Sequence, residues 1–105
     1  MKQTTLNALA EPNRLQIVEL LRDGPLTVGQ IADRLKIRQP QTSKHLKLLH
    51  EAGMVEVHAE ANRRIYRLRP EPLQEMDEWL ESFRGIWEKR LDQLEHYLEK
   101  LQKKG

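Results

Sequence analysis

The stretch from Thr27 to Gly53, TVGQIADRLKIRQPQTSKHLKLLHEAG, constrains this chain more than any other. It carries two helical signals with room between them only for a tight turn. Thr27 can accept from the first-turn backbone, and Gln30, three residues on, can reach back to the Thr27 N–H, which makes a capping box. Val28, Ile31, Ala32 and Leu35 follow the i, i+3, i+4, i+7 spacing of one buried stripe, so a short helix is predicted from Val28. Gln39-Pro40 opens the second helix, because proline's missing N–H costs nothing in a first turn. Gly53 closes it, a left-handed residue there letting Met54 fold back onto Leu49. The result has the shape of a helix-turn-helix.

With Leu46, Leu49 and Ala52 turned inward, a step of about 100° per residue puts Gln41, Lys44 and Lys47 outward, with Thr42 and His45 on the flanks. Gln39 and Ser43 join them in the N-terminal half. This face offers amides, hydroxyls and positive charge. Amides can read base edges bidentately, and lysines neutralise phosphate. A solvated helix face has a similar composition; the capped partner helix and the tight turn weigh against that reading.

The formal net charge of +2 conceals an asymmetry. Residues 34–69 hold nine lysines and arginines against three glutamates, whereas both flanking segments are net acidic. A basic middle between acidic flanks is what one part of a fold meeting a polyanion requires. At 105 residues with 38% hydrophobic content, the expectation is one domain with a modest core, supplemented by oligomerisation. There is no cysteine, so thiolate metal sites, disulfides and thiol nucleophiles are excluded. No long apolar run and no basic-then-apolar leader occurs, which gives the expectation of a cytoplasmic protein with no membrane partner.

Leu6 to Leu9 suggests a first helix, and Glu11-Pro12 starts a second, which Gly24-Pro25 ends. Leu15, Ile17, Val18, Leu20 and Leu21 are apolar on more than one side, so this helix is expected at the centre of the domain. After Gly53, Val55 and Val57 alternate with polar residues, as do Tyr66 and Leu68, which predicts two strands with a turn at Glu60-Ala61-Asn62. Arg63 and Arg64 lie just past that turn. A hairpin directly after the second helix is the wing of a winged helix, and the arginine pair could reach a neighbouring groove or backbone. From Pro72 the chain reads as one long helix. Leu73, Leu80, Trp87, Leu94 and Leu101 recur every seven residues, with Met76, Phe83 and Tyr97 at the companion position and Leu91 and Leu98 one step round. About 30 residues at ~1.5 Å each span ~45 Å, more than a small domain covers by itself. The expected partner is a second copy, joined through Leu80, Phe83, Trp87, Leu91, Leu94, Leu98 and Leu101, with Leu6 and Leu9 extending the surface.

These segments (LNALAEPNRLQIVELL, IADRLKIRQPQTSKHLKLLHEAGMV and RRIYRL) resemble the ArsR-type winged-helix repressors over residues 6–69. Gln39-Pro40, Ser43, His45-Leu46-Lys47 and Glu51-Ala52-Gly53 follow that family's recognition-helix pattern; Arg38 departs from it, standing where a Ser or Thr cap is usual. The resemblance implies a mainly α fold with a small β-hairpin, a winged helix-turn-helix with a long C-terminal dimerisation helix. It divides a single domain, 1–105, into the helix-turn-helix 27–53, the wing 55–69 and the helix 72–103. It also implies a homodimer on double-stranded DNA, contacted by Gln39, Gln41, Thr42, Ser43, Lys44, His45, Lys47, Arg63 and Arg64. Family members often sense metals through a cysteine pair, and Thr27 and Gly29 stand at those positions here. A second type of site uses carboxylate and imidazole pairs on the C-terminal helix, where only His96 is present. No metal and no cofactor is therefore expected, and an effector is left unknown. WLESFRGIWEKRLDQLEHYL is similar instead to a metal-independent branch often encoded beside SRPBCC-type proteins.

Two other functional classes compare poorly. His58-Ala59-Glu60 matches the H-x-E of zinc deaminases, but the cysteine pair that chemistry needs is missing. No phosphate-binding glycine loop occurs either. A pure interaction module built on the long helix stays open as the alternative, although such a module has no use for a basic segment that coincides with the second helix and wing.

Overall fold

The computed structural model describes residues 2–103 and contains six helices and one small sheet among them. In chain order these are α1 (Gln3–Leu9), α2 (Pro12–Leu21), β1 (Leu26–Thr27), α3 (Val28–Leu35), α4 (Gln39–Glu51), β2 (Val55–Glu60), β3 (Arg63–Leu68), α5 (Pro70–Glu81) and α6 (Arg84–Lys103).

α2 lies at the centre, in contact with α1, α3, α4 and β3, and it buries Ile17, Val18 and Leu21. Leu15 departs from the expectation: it faces solvent on the opposite side. The start of α2 is fixed by Glu11, whose carboxylate accepts from the Arg14 N–H at 2.9 Å. Arg14 in turn closes α1, its Nε donating to the Ala8 carbonyl at 2.7 Å and its Nη2 to that of Asn7 at 3.3 Å. Around α2 the interior is filled by Ile31 of α3, Leu46 and Leu49 of α4, then Met54, Val55 and Tyr66. Leu9 packs against this interior rather than outward, so of the two α1 leucines assigned to a dimer surface only Leu6 is exposed.

The sheet has the order β1-β3-β2 and is antiparallel throughout. Val57 faces Tyr66 and Glu60 faces Arg63, leaving Ala61 and Asn62 as the two-residue loop. Ala61 has φ +55°, a left-handed conformation that disfavours a β-carbon. β1 adds Leu26 opposite Tyr66 and so ties the start of α3 to the hairpin.

The C-terminal segment differs from the single helix expected from Pro72. It begins at Pro70 and breaks at Ser82–Phe83. The Ser82 hydroxyl donates to the Trp79 carbonyl, and the Phe83 N–H moves to the carbonyl three residues back, on Leu80, at 3.0 Å. Ser/Thr back-bonding of this kind bends helices, and Gly85 beyond it adds the least helix-forming of the non-proline residues. Leu73 packs against the interior, but neither α5 nor α6 has a fully buried residue. The described residues therefore extend 71 × 26 × 20 Å, with a radius of gyration of 20.2 Å. A compact domain of about 100 residues has a radius near 13 Å. Among the described residues, no helix is long and apolar enough to cross a membrane.

Candidate nucleic-acid interface

Local chemistry positions the two central helices. Thr27 Oγ1 accepts from the Gln30 N–H at 3.2 Å, and Gln30 Oε1 accepts from the Thr27 N–H at 2.9 Å, so both halves of the capping box form. α3 ends on Lys36, left-handed at φ +57°, with the Ile37 N–H bound to the Ala32 carbonyl at 3.2 Å. That leaves three residues before α4. The far end of α4 closes as a Schellman motif: Gly53, at φ +76°, donates to the His50 carbonyl at 3.0 Å, and Met54 donates to that of Leu49 at 2.9 Å.

The face presented by α4 is narrower than the sequence pattern suggests. Gln39, Gln41, Ser43, Lys44 and Lys47 are all exposed. Thr42 is not: it is 0% exposed, and its hydroxyl donates to the Arg38 carbonyl at 3.0 Å. The reason lies in spacing, because Thr42, Leu46 and Leu49 stand at i, i+4 and i+7 and form one inward stripe. Thr42 is thus withdrawn from the contact set. His45 is half-buried on the flank of that face. Its side chain is 19% exposed and turns toward α2, with Nδ1 3.7 Å from Glu11 Oε2, out of solvent and without a hydrogen-bond partner. Its place is the packing of α4 on α2. The Arg38 side chain does not cap α4, in keeping with its departure from the expected Ser or Thr.

Arg63 and Arg64 begin β3 at the tip of the hairpin, both exposed. A cleft of about 400 Å³ joins them to the helices, lined by Thr27, Val28, Gly29, Gln39, Ser43, Asn62, Arg63 and Arg64. The N-termini of α3 and α4 both open onto it, and neither first turn holds an acidic residue. Unpaired N–H groups, helix dipoles and two guanidinium groups therefore add the same sign of field in one place. The sequence pattern indicates Gln39, Ser43 and the two arginines but not the α3 N-terminus or Asn62 in this lining, because only β1 pairing with β3 brings the hairpin over that helix.

A capped helix, a three-residue turn, a second helix with an exposed basic face and a hairpin beside its first turn define a winged helix-turn-helix, a DNA-binding fold. The family model for bacterial regulatory proteins of the arsR family matches residues 11–57. The transcriptional repressor SdpR of Bacillus subtilis is 33% identical over 76 residues, 72% of this chain and 84% of SdpR. Among solved structures, the ArsR family transcriptional regulator RHA00566 superposes with a TM-score of 0.71 at 28% identity, over 81% of this chain and 88% of that one. The homodimeric winged helix-turn-helix DNA-binding domain of Mb0332 from Mycobacterium bovis superposes with a TM-score of 0.65 at 29% identity, over 78% and 76% of the two chains. This chain belongs to the arsR family of transcriptional regulators, which are not enzymes.

Proposed function

We propose that the protein is a dimeric repressor that binds an inverted-repeat operator in double-stranded DNA. One observation carries this reading: the cleft at which the exposed start of α4 and the wing arginines meet, inside the most basic third of the chain. Gln39, Gln41 and Ser43 read base edges in the major groove. Lys44 and Lys47 neutralise phosphates beside it, and Arg63 and Arg64 hold the neighbouring backbone. Two-fold pairing through the C-terminal segment places two such faces about one DNA turn apart, or a multiple of it. The homodimeric state of the Mb0332 domain and the uncovered apolar stripe on α5 and α6 support that pairing. Residues 1–105 act as one domain in the cytoplasm on this reading.

Sensing through thiolate-bound metal has no basis in a chain without cysteine. Membership of the metal-independent branch rests on the Trp- and Leu-rich C-terminal stretch. The direct test is selection of genomic fragments by the purified protein, followed by binding across a salt series. An inverted repeat should emerge among the selected fragments. Each phosphate contact adds about 0.9 to the slope of log K against log salt, so replacing Arg63 and Arg64 by Ala should flatten that slope by up to ~2. Recovery of no common sequence would overturn the operator, and an unchanged slope would place the wing off the DNA.

A further inference from the structure

The junction between the body and the arm holds a cleft of about 450 Å³. Its walls are aliphatic: Leu21 at the end of α2, Pro25 just before β1, Leu68 at the end of β3, and Pro70 and Leu73 where α5 begins. Each wall is held from behind. Leu21 belongs to the core, Leu68 and Leu73 pack against it, the Gly24 N–H returns to the Leu21 carbonyl at 3.2 Å, and the proline rings fix φ at Pro25 and Pro70. The cleft is therefore formed before anything fills it. Its volume falls inside the ~300–1,000 Å³ typical of small-molecule sites, which combine apolar walls with a few placed polar groups.

The polar side chains of the lining are two arginines, Arg22 and Arg67, both on exposed residues. No acid joins them. Asp23 follows Arg22 and Glu56 stands opposite Arg67 in the sheet, yet the ion pairs among the described residues are made by other groups, and Glu56 leans on His58 at 3.7 Å. Helix ends do not set the sign of the field here: the C-terminal end of α2 and the N-terminal end of α5 both abut the cleft, and their dipoles offset. The arginines decide it. We infer that the cleft is a binding site for an aliphatic carboxylate, its chain laid on the leucine and proline walls and its head held by Arg22 and Arg67.

The composition of the lining narrows the ligand to that class. No aromatic ring is present to stack on an aryl group, and no hydroxyl or amide side chain is present to read a second polar group. A carboxylate matches the guanidinium fork, and an alkyl chain matches the walls. A DNA phosphate fits poorly. Arg67 lies four residues along β3 from Arg63, about 13 Å from the wing tip, and a phosphate has no use for aliphatic walls. The position also gives the site a consequence, because an occupant between α2 and the first turn of α5 sets the angle at which the arm leaves the body. That regulatory role rests on the operator reading above; the binding does not.

The test uses the full chain without DNA and octanoate as the probe, read from the methyl resonances of Leu21, Leu68 and Leu73. Saturable shifts are expected at those methyls, with octanoate about tenfold or more tighter than 1-octanol, which has the same chain length and no charge. Each buried methylene adds up to about fourfold, so hexanoate should bind up to ~15-fold more weakly than octanoate. Arg22→Gln combined with Arg67→Gln should remove the preference for octanoate and leave the affinity for 1-octanol unchanged. Equal affinity for the acid and the alcohol, shifts at Trp79, Trp87 and Leu94 on the arm instead, or a cleft that stays silent because a second copy covers it would overturn the site. Octanoate should also change operator affinity by about fivefold or more, and the double variant should lose that response. Unaltered operator affinity would overturn the regulatory role alone. A chain that binds octanoate at the cleft and selects no operator would overturn the operator reading and leave the site standing.

Discussion

The winged-helix body and the C-terminal arm use similar residues to opposite ends. In the body, Ile17, Ile31, Leu46, Leu49, Met54 and Val55 are fully enclosed by seven elements of their own chain. On the arm, Leu80, Trp87, Leu91 and Leu94 are more than half exposed although the stripe they form is just as regular. The difference is geometric. A helix buries its stripe only where other elements curve round it, and among the described residues no element packs back along α6. The body encloses its core within one chain, whereas on the dimeric reading proposed above the arm is completed only by a second copy.

Mutations should separate the two regions. The largest effect is expected from Leu46→Ala, which opens a cavity in the body and should lower unfolding stability by about 2–5 kcal/mol, measured by denaturant titration. If Leu46→Ala proved as mild as the same change at Leu94, the contrast would fail. Next, replacing Leu94 and Leu98 by Lys should leave the far-ultraviolet circular dichroism of the body unchanged while abolishing the dimer in sedimentation. Operator affinity should then fall by ~100-fold or more, equivalent to ~2.8 kcal/mol. A monomeric double variant with full affinity would show that assembly is irrelevant to binding.

Smaller effects sharpen the comparison inside α4 itself. Gln41→Ala should cost about 1–3 kcal/mol on the cognate site and much less on random DNA, whereas equal losses would remove Gln41 from sequence reading. Thr42→Val keeps the shape and deletes the hydroxyl bonded to Arg38, so a loss of about 1 kcal/mol in folding stability is expected. Discrimination between sites should not change. A shift in base preference with Thr42→Val would return this residue to the DNA face.

Most of the body was legible because its signals are local. The Thr27–Gln30 box, Pro40 and Gly53 each act within a few residues, and all three do in the structure what their chemistry suggests. β1 was not legible. It is two residues long, and its partners Ile65 and Tyr66 lie nearly forty positions away. Helical spacing puts Thr42 on the flank of the exposed face, but a hydroxyl that satisfies itself on the helix's own carbonyl can be buried at little cost. His45, on the other flank, turns its Nδ1 toward Glu11, and nothing near it in sequence reveals that neighbour. The break at Ser82 escaped notice since a serine facing solvent and one bonded back to the turn before are written with the same letter.

Met54 has a consequence for how the two regions could move together. Its N–H holds the last turn of α4, and its carbonyl accepts from the N–H of Arg69, the residue just before α5, at 2.9 Å. One enclosed residue is therefore the fulcrum between α4 and the arm. A helix of 13 residues is a lever of about 20 Å, so a tilt of ~10° at that fulcrum sweeps its far tip through ~3.5 Å. That distance is close to the ~3.4 Å rise of one DNA base along a strand. On the operator reading proposed above, whatever strains the arms by so small an angle would move α4 out of step with its half-site by a full base pair.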